Sequence, residues 1–87
     1  MRITLLTQQS CELCDQAHTI LAGLTDEYGF ELTTLSFGSK AGTEIARRGG
    51  LLFAPGVLID DEPFSHGRLS ARKLRRELNR RIRADVR

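Results

Sequence analysis

The two cysteines of the chain, Cys11 and Cys14, are separated by two residues and lie between a strand-like and a helix-like segment. A C-x-x-C pair at such a junction is typical of thiol–disulfide chemistry. The N-terminus of a helix offers unpaired N–H groups and a partial positive charge, which stabilise the reactive thiolate. Because side chains three positions apart are neighbours on a helix, the pair can close into a disulfide.

A metal site is the first alternative for the same cysteines. His18 follows Cys14 by four residues, and His66 is the only other histidine of the chain. A tetrahedral zinc site made of Cys11, Cys14, His18 and His66 would use all four side chains. The histidine spacing typical of zinc fingers is absent, so the redox interpretation is preferred and no metal is expected.

The charge distribution gives a second alternative, a non-enzymatic adaptor. Residues 1–69 carry five basic and nine acidic side chains, a balance of −4, whereas residues 70–87 carry eight basic and two acidic ones, a balance of +6. The basic C-terminal helix could bind nucleic acid or an acidic partner. No aromatic residues alternate with its arginines, so a solvated polar face is favoured and nucleic acid is not expected. Its basic residues are Arg72, Lys73, Arg75, Arg76, Arg80, Arg81 and Arg83.

Hydrophobic periodicity and turn residues predict the element order β-α-β-α-β-β-α. Ser10 and Ser70 are suited to cap the first and last helices, and Gly29 to end the first. On the last helix, Ala71, Leu74, Leu78 and Ile82 are expected to form one apolar stripe. The predicted strands cover 2–7, 30–37, 56–59 and 62–65, and the first two helices cover 11–28 and 40–48.

This order predicts an α/β fold with a mixed four-stranded sheet and helices on both faces. The first strand–helix–strand unit implies a right-handed parallel crossover. The last two strands form an antiparallel hairpin around Asp60-Asp61, and Pro63 places the final strand at an edge of the sheet, because proline cannot donate to a central ladder.

The length and composition bound the class of protein. With 87 residues, 40% of them hydrophobic and 28% charged, the chain is expected to form a single domain over 1–87 and to be a monomer. No apolar run approaches the roughly 18 residues of a membrane span, so no membrane association is expected. The N-terminal apolar run is too short for a signal peptide, which predicts a cytoplasmic protein whose cysteines are kept reduced.

The C-x-x-C pair at the start of the first helix, together with Pro55 before the third strand, resembles the thioredoxin fold in its glutaredoxin-sized form. The resemblance covers essentially the whole chain. The segments Cys11-Glu12-Leu13-Cys14-Asp15 and Gly67-Arg68-Leu69-Ser70 are similar to a glutaredoxin-like family with a C-x-L-C-[DE] signature.

The resemblance implies a thiol–disulfide oxidoreductase with a dithiol mechanism acting on protein disulfides. Cys11 would attack the substrate and Cys14 would resolve the mixed disulfide. Pro55 would be cis, and the exposed backbone of Ala54 would pair with an extended substrate segment. Leu13, between the cysteines, is a candidate contact for partner proteins.

The sequence departs from typical glutaredoxins where those proteins hold glutathione. Glu12-Leu13 replaces Pro-Tyr between the cysteines, and Phe53-Ala54 replaces Thr-Val before the proline. Gly67, Arg68 and Ser70 could still hold a carboxylate of the partner. No bound cofactor is expected, and either glutathione or a thioredoxin reductase would return the cysteines to the dithiol.

Overall fold

The computed structural model describes residues 1–85 and confirms the predicted order of strands and helices. The second strand is one residue shorter at each end than predicted, because Phe30 and Phe37 lie outside the ladder. None of the helices in the described part of the chain is both long and apolar enough to cross a bilayer. The elements are β1 (Arg2–Thr7), α1 (Glu12–Tyr28), β2 (Glu31–Ser36), α2 (Lys40–Gly49), β3 (Gly56–Ile59), β4 (Glu62–His66) and α3 (Ala71–Asp85).

The four strands form one mixed sheet in the order β2-β1-β3-β4. β1 pairs in parallel with β2 and antiparallel with β3, and β4 completes the predicted hairpin with β3. The edge position of β4 confirms the prediction made from Pro63. Both turn residues, Asp60 and Asp61, have positive φ (49° and 67°), as a tight hairpin turn requires.

Alternation along the central strands divides the core into two clusters, one on each face of the sheet. On one face Ile3 and Leu5 pack with the buried sides of α1 and α3, including Leu21 and Leu74. On the other face Leu6 packs with residues from β3 and from α2 and the segment that follows it: Leu58, Ala46 and Leu51. The sheet therefore has helices on both faces, as predicted.

The buried apolar stripe on α3 is shorter than the sequence predicts, whereas the stripe on α1 is nearly as long as predicted. The sequence spacing also predicts a stripe on α1 made of Cys14, Ala17, Leu21, Leu24 and Tyr28, and all of these are buried except Tyr28, which is half-buried. On α3, Leu74 and Leu78 are fully buried, but Ala71 is exposed and Ile82 is 37% exposed. The prediction for these two was wrong because the core cluster that faces α3 contains no residue from its first or last turn.

The helix caps correct one sequence prediction. Ser70 caps α3 as predicted, since its Oγ accepts the Lys73 N–H at 3.2 Å. Ser10 does not cap α1, because its φ of 53° lies in the left-handed region, whereas an N-cap residue has an extended backbone. The N-cap of α1 is Cys11, with φ −122° and ψ 102°. Gly29 ends α1 as predicted, with φ 69°.

Candidate active site

The strand register brings three loop segments to one end of the sheet. Gly56, the first residue of β3, lies opposite Leu6 of β1 and opposite His66 at the end of β4. The segments that adjoin these positions therefore meet at the same end, where α1 and α3 also begin. We call this region, residues 8–14, 50–56 and 66–70, the site end.

The cysteine pair lies at the start of α1 and is joined by a disulfide, with the two Cα atoms 5.2 Å apart. The Cys14 N–H donates a hydrogen bond to the Cys11 Sγ at 3.1 Å. This helix N-terminal donor would stabilise a thiolate at Cys11 after reduction. Cys11 is partly exposed, whereas Cys14 is only 2% exposed, so a partner can reach the first sulfur but not the second.

The side chains around the pair are acidic and apolar. Glu12 and Asp15 lie in the first turn of α1 and are exposed, where carboxylates interact favourably with the helix dipole. Leu13 is half-buried between the cysteines. Part of its side chain is therefore accessible at the position where sequence analysis placed a partner contact.

The segment before β3 carries the predicted proline. The Ala54–Pro55 peptide bond is cis, Pro55 is buried and Ala54 is half-buried. The Pro55 carbonyl accepts the Gly67 N–H at 2.9 Å. Within the described residues, no hydrogen bond uses the backbone N–H or C=O of Phe53 or Ala54. These groups are therefore available to an extended segment of another chain.

The three residues predicted to hold a carboxylate, Gly67, Arg68 and Ser70, make different contacts in the structure. The Gly67 N–H is occupied by the Pro55 carbonyl, so this donor is not available to a ligand. Gly67 also has φ 82°, a conformation that glycine adopts without steric cost. Arg68 is exposed, and Ser70 caps α3. Arg68 and the N-terminus of α3 are the groups that remain for an anion.

Sequence reasoning missed an exposed apolar pair in the 50–55 segment. Leu52 is 71% exposed and Phe53 is 63% exposed. The Leu52 N–H donates to Nδ1 of His66 at 2.9 Å, and the Phe53 and His66 rings meet edge to face with centroids 5.5 Å apart. The sequence pattern gave no direct signal for this contact, because it depends on where β4 ends relative to β3.

The structure does not assemble the alternative zinc site. Nδ1 of His66 is used by Leu52, and His18 is exposed on α1. Among residues 1–85, no three histidine, cysteine or acidic side chains lie together in a way that could hold a metal ion.

Three basic side chains of α3 form ion pairs within the described residues. Arg75 forms an ion pair with Glu27 at 2.6 Å, and Arg80 one with Glu77 at 2.6 Å. Arg81 pairs with Glu77 at 2.7 Å and with Glu62 at 3.2 Å. These contacts give three of the seven arginines and lysines on this helix a role in holding the fold.

Comparison with known proteins identifies the fold. No protein-family model matches the chain, and no curated protein matches its sequence. Thioredoxin 1 from Thermosipho africanus superposes with a TM-score of 0.76 over 100% of both chains, at 11% identity. The chain has the thioredoxin fold. Thioredoxin O2 from Arabidopsis thaliana in its oxidized state has a TM-score of 0.69 at 10% identity, covering 91% of this chain and 72% of its own.

A third solved structure, described as a malarial protein, has the same fold, with a TM-score of 0.65 at 16% identity over 92% of this chain and 93% of its own. The fold prediction is thereby confirmed. The C-x-L-C-[DE] glutaredoxin-like resemblance stays a prediction, since the identities to these thioredoxin-fold structures are low.

Proposed function

We propose that the protein is a thiol–disulfide oxidoreductase that works through Cys11 and Cys14. The observation that carries the proposal is the unequal exposure of a disulfide at a helix N-terminus. Cys11 is accessible and accepts an N–H hydrogen bond, whereas Cys14 is buried behind it. This asymmetry supports the order of attack expected from the sequence, with Cys11 as nucleophile and Cys14 as resolving thiol.

The reaction starts from the dithiol form. The Cys11 thiolate attacks one sulfur of a partner disulfide, a Cys11–partner bond forms, and the other partner sulfur leaves as a thiolate. Cys14, after losing its proton, attacks the Cys11 sulfur and displaces the second partner thiolate. The partner has then gained two electrons, and its thiolates take up the two protons that the cysteines released. The protein is left as the Cys11–Cys14 disulfide.

Protein disulfides are the proposed substrates. The free backbone groups of Phe53 and Ala54 can pair with an extended segment on either side of the partner cysteine. Buried Pro55 fixes the inner end of this segment, and the accessible part of Leu13 adds an apolar contact beside the sulfur.

Recycling requires an external two-electron reductant, either glutathione or a thioredoxin reductase, in a reducing compartment such as the cytoplasm. The glutaredoxin-like resemblance makes glutathione one candidate, whose carboxylate Arg68 and the N-terminus of α3 could hold. The Gly67 N–H is already bonded to the Pro55 carbonyl, so it is not available to a glutathione carboxylate. This favours a reductase. No resident cofactor is needed for either route.

The test is reduction of insulin disulfides with each system in parallel: glutathione with glutathione reductase, and NADPH with thioredoxin reductase. We expect turnover with at least one system and none when Cys11→Ser replaces the wild-type chain. Intact mass should show a loss of two hydrogens on oxidation. Retention of zinc by the reduced chain, with no turnover in either system, would contradict the proposal.

A further inference from the structure

The segment that precedes β3 is held at both ends and at one point between them. At its start the Leu51 N–H donates to the Ala46 carbonyl of α2 at 2.9 Å. At its end the Pro55 carbonyl accepts the Gly67 N–H at 2.9 Å. Within the described residues, the sole hydrogen bond formed by 52–54 is the one from Leu52 to His66.

His66 makes two different contacts with this segment. Its Nδ1 accepts the Leu52 N–H at 2.9 Å, so Nδ1 carries no proton and the neutral ring carries its proton on Nε2. Its ring meets the Phe53 ring at an interplanar angle of 68°, an edge-to-face arrangement that aromatic rings prefer. One side chain thus fixes both the backbone of Leu52 and the ring of Phe53.

We propose that His66 is a positioning residue for disulfide exchange with protein substrates. It holds residues 52 and 53 so that the free backbone of Phe53 and Ala54 faces an extended partner segment next to Cys11. This inference rests on the proposed function and adds to it the residue that shapes the docking strand. Its hydrogen bond and its ring contact are both made with this segment and not with the cysteine pair.

The partner implied by this arrangement is an extended polypeptide with an apolar side chain near its cysteine. Leu52 and Phe53 remain 71% and 63% exposed although His66 holds them in place, which leaves a small apolar surface beside the unpaired backbone. A small disulfide reaches Cys11 without using this surface. Loss of His66 should therefore affect protein substrates more than small ones.

A matched set of substitutions separates the contribution of the Nδ1 acceptor of His66 from that of its ring contact with Phe53. Asn places Oδ1 at the same bond count from Cβ as Nδ1 of His66, whereas the Gln oxygen lies one bond further. His66→Asn therefore keeps the acceptor, His66→Gln displaces it, and His66→Leu removes both contacts. His18→Leu is the control, because it makes the same change at the only other histidine, which is exposed on α1.

We expect His66→Leu to lower kcat/KM for insulin about three- to tenfold, mainly through KM, as loss of one net hydrogen bond predicts. The effect on hydroxyethyl disulfide should be smaller than twofold. His66→Asn, which keeps the acceptor and lacks only the ring contact with Phe53, should recover most of the insulin value, and His66→Gln should not. Hydrogen exchange at the Leu52 amide should be faster in His66→Leu and His66→Gln than in wild type and His66→Asn.

Equal losses on both substrates, failure of Asn to restore activity, or unchanged insulin kinetics in His66→Leu would overturn the inference while leaving the proposed function in place. The same holds if Leu52 exchange is insensitive to all His66 substitutions. A wild-type chain that reduces neither substrate would overturn both proposals together.

Discussion

The two ends of the sheet are held together by different kinds of contact. At the site end, backbone N–H groups and one imidazole fix the loops, and no residue of that region forms an ion pair within the described chain. At the opposite end, which we call the turn end, charged side chains dominate. Arg81 reaches Glu77, Glu62 and Asp60, and Asp60 also accepts the backbone N–H of Arg2 at 2.8 Å.

This difference indicates a division between function and stability. Hydrogen bonds from backbone N–H groups hold the loops around the cysteine pair without ion pairs among the described residues of that region. The turn end has no sulfur chemistry to accommodate, so arginine can join α3 to the β3–β4 turn there. Substitutions at the two ends should therefore change different measured quantities.

The largest expected difference between the ends is in activity. Cys11→Ser removes the nucleophile and should reduce insulin turnover to the rate of the reductant alone. Arg81→Met, at the turn end, should leave turnover per folded molecule unchanged. Steady-state rates corrected for the folded fraction test this contrast, and equal losses in both variants would refute the division.

A close backbone contact should make the α2 side of the sheet sensitive to a single methyl group. A Cβ at Gly42 would collide with the carbonyl oxygen of Ser36 at the end of β2. Gly42→Ala should lower the free energy of unfolding by about 1–3 kcal/mol through overpacking.

Gly23 is the matched control on α1, because a Cβ there meets nothing within 4 Å. Gly23→Ala should raise the free energy of unfolding by roughly 0.5–1 kcal/mol, since alanine favours the helix. Urea unfolding measures both. A stable Gly42→Ala protein would show that α2 can move away from β2.

The arginine network should contribute to stability at the turn end. Arg81 is only 19% exposed and pairs with Glu77 and Glu62. Arg81→Met keeps most of the buried stem but removes the charged hydrogen bonds, and should cost about 1–2 kcal/mol. Urea unfolding at low and high salt checks this, and a variant as stable as wild type at low salt would contradict it.

The turn end should also lose stability in acid. Hydrogen bonds from the Arg80 and then the Arg81 guanidinium lower the pKa of Glu77 from its usual 4.5 to about 2. Because the folded pKa is the lower one, the stabilisation is complete above pH 4.5 and is lost as the pH falls toward 2.

Glu77→Gln isolates this contribution. The difference in unfolding free energy between wild type and the variant should be about 1 kcal/mol at pH 7 and should shrink between pH 4.5 and 2. Urea titrations at several pH values measure it. A difference that does not change with pH would show that the ion pairs of Glu77 do not stabilise the fold.

The fold was predictable from the sequence because its signals were local. The run of β-type residues in β1, the helical spacing from Cys14 to Tyr28 and the hairpin turn at Asp60-Asp61 each depend on neighbouring residues. The N-cap of α1 was not predictable in this way. Ser10 has the better side chain for a cap, but its left-handed backbone moves that position to Cys11.

The site was predictable in part. The spacing and context of the cysteine pair marked it as chemically special, and Pro55 could be assigned by resemblance. The role of His66 could not, because its contact with Leu52 joins residues 14 positions apart through the β3–β4 register. The hydrogen bond from the Gly67 N–H to the Pro55 carbonyl could not be predicted either, because it also depends on the β3–β4 register.

Trapping of the mixed disulfide shows which of the two cysteines is the nucleophile. Cys14→Ser keeps the exposed nucleophile and removes the resolving thiol, so reaction with a disulfide-containing peptide should stop at a covalent adduct. Mass spectrometry of proteolytic fragments should place the adduct on Cys11. The Cys11→Ser variant should form no adduct within the same reaction time. Equal adduct formation by the two variants, or adduct formation at Cys14 alone, would show that Cys11 is not the nucleophile.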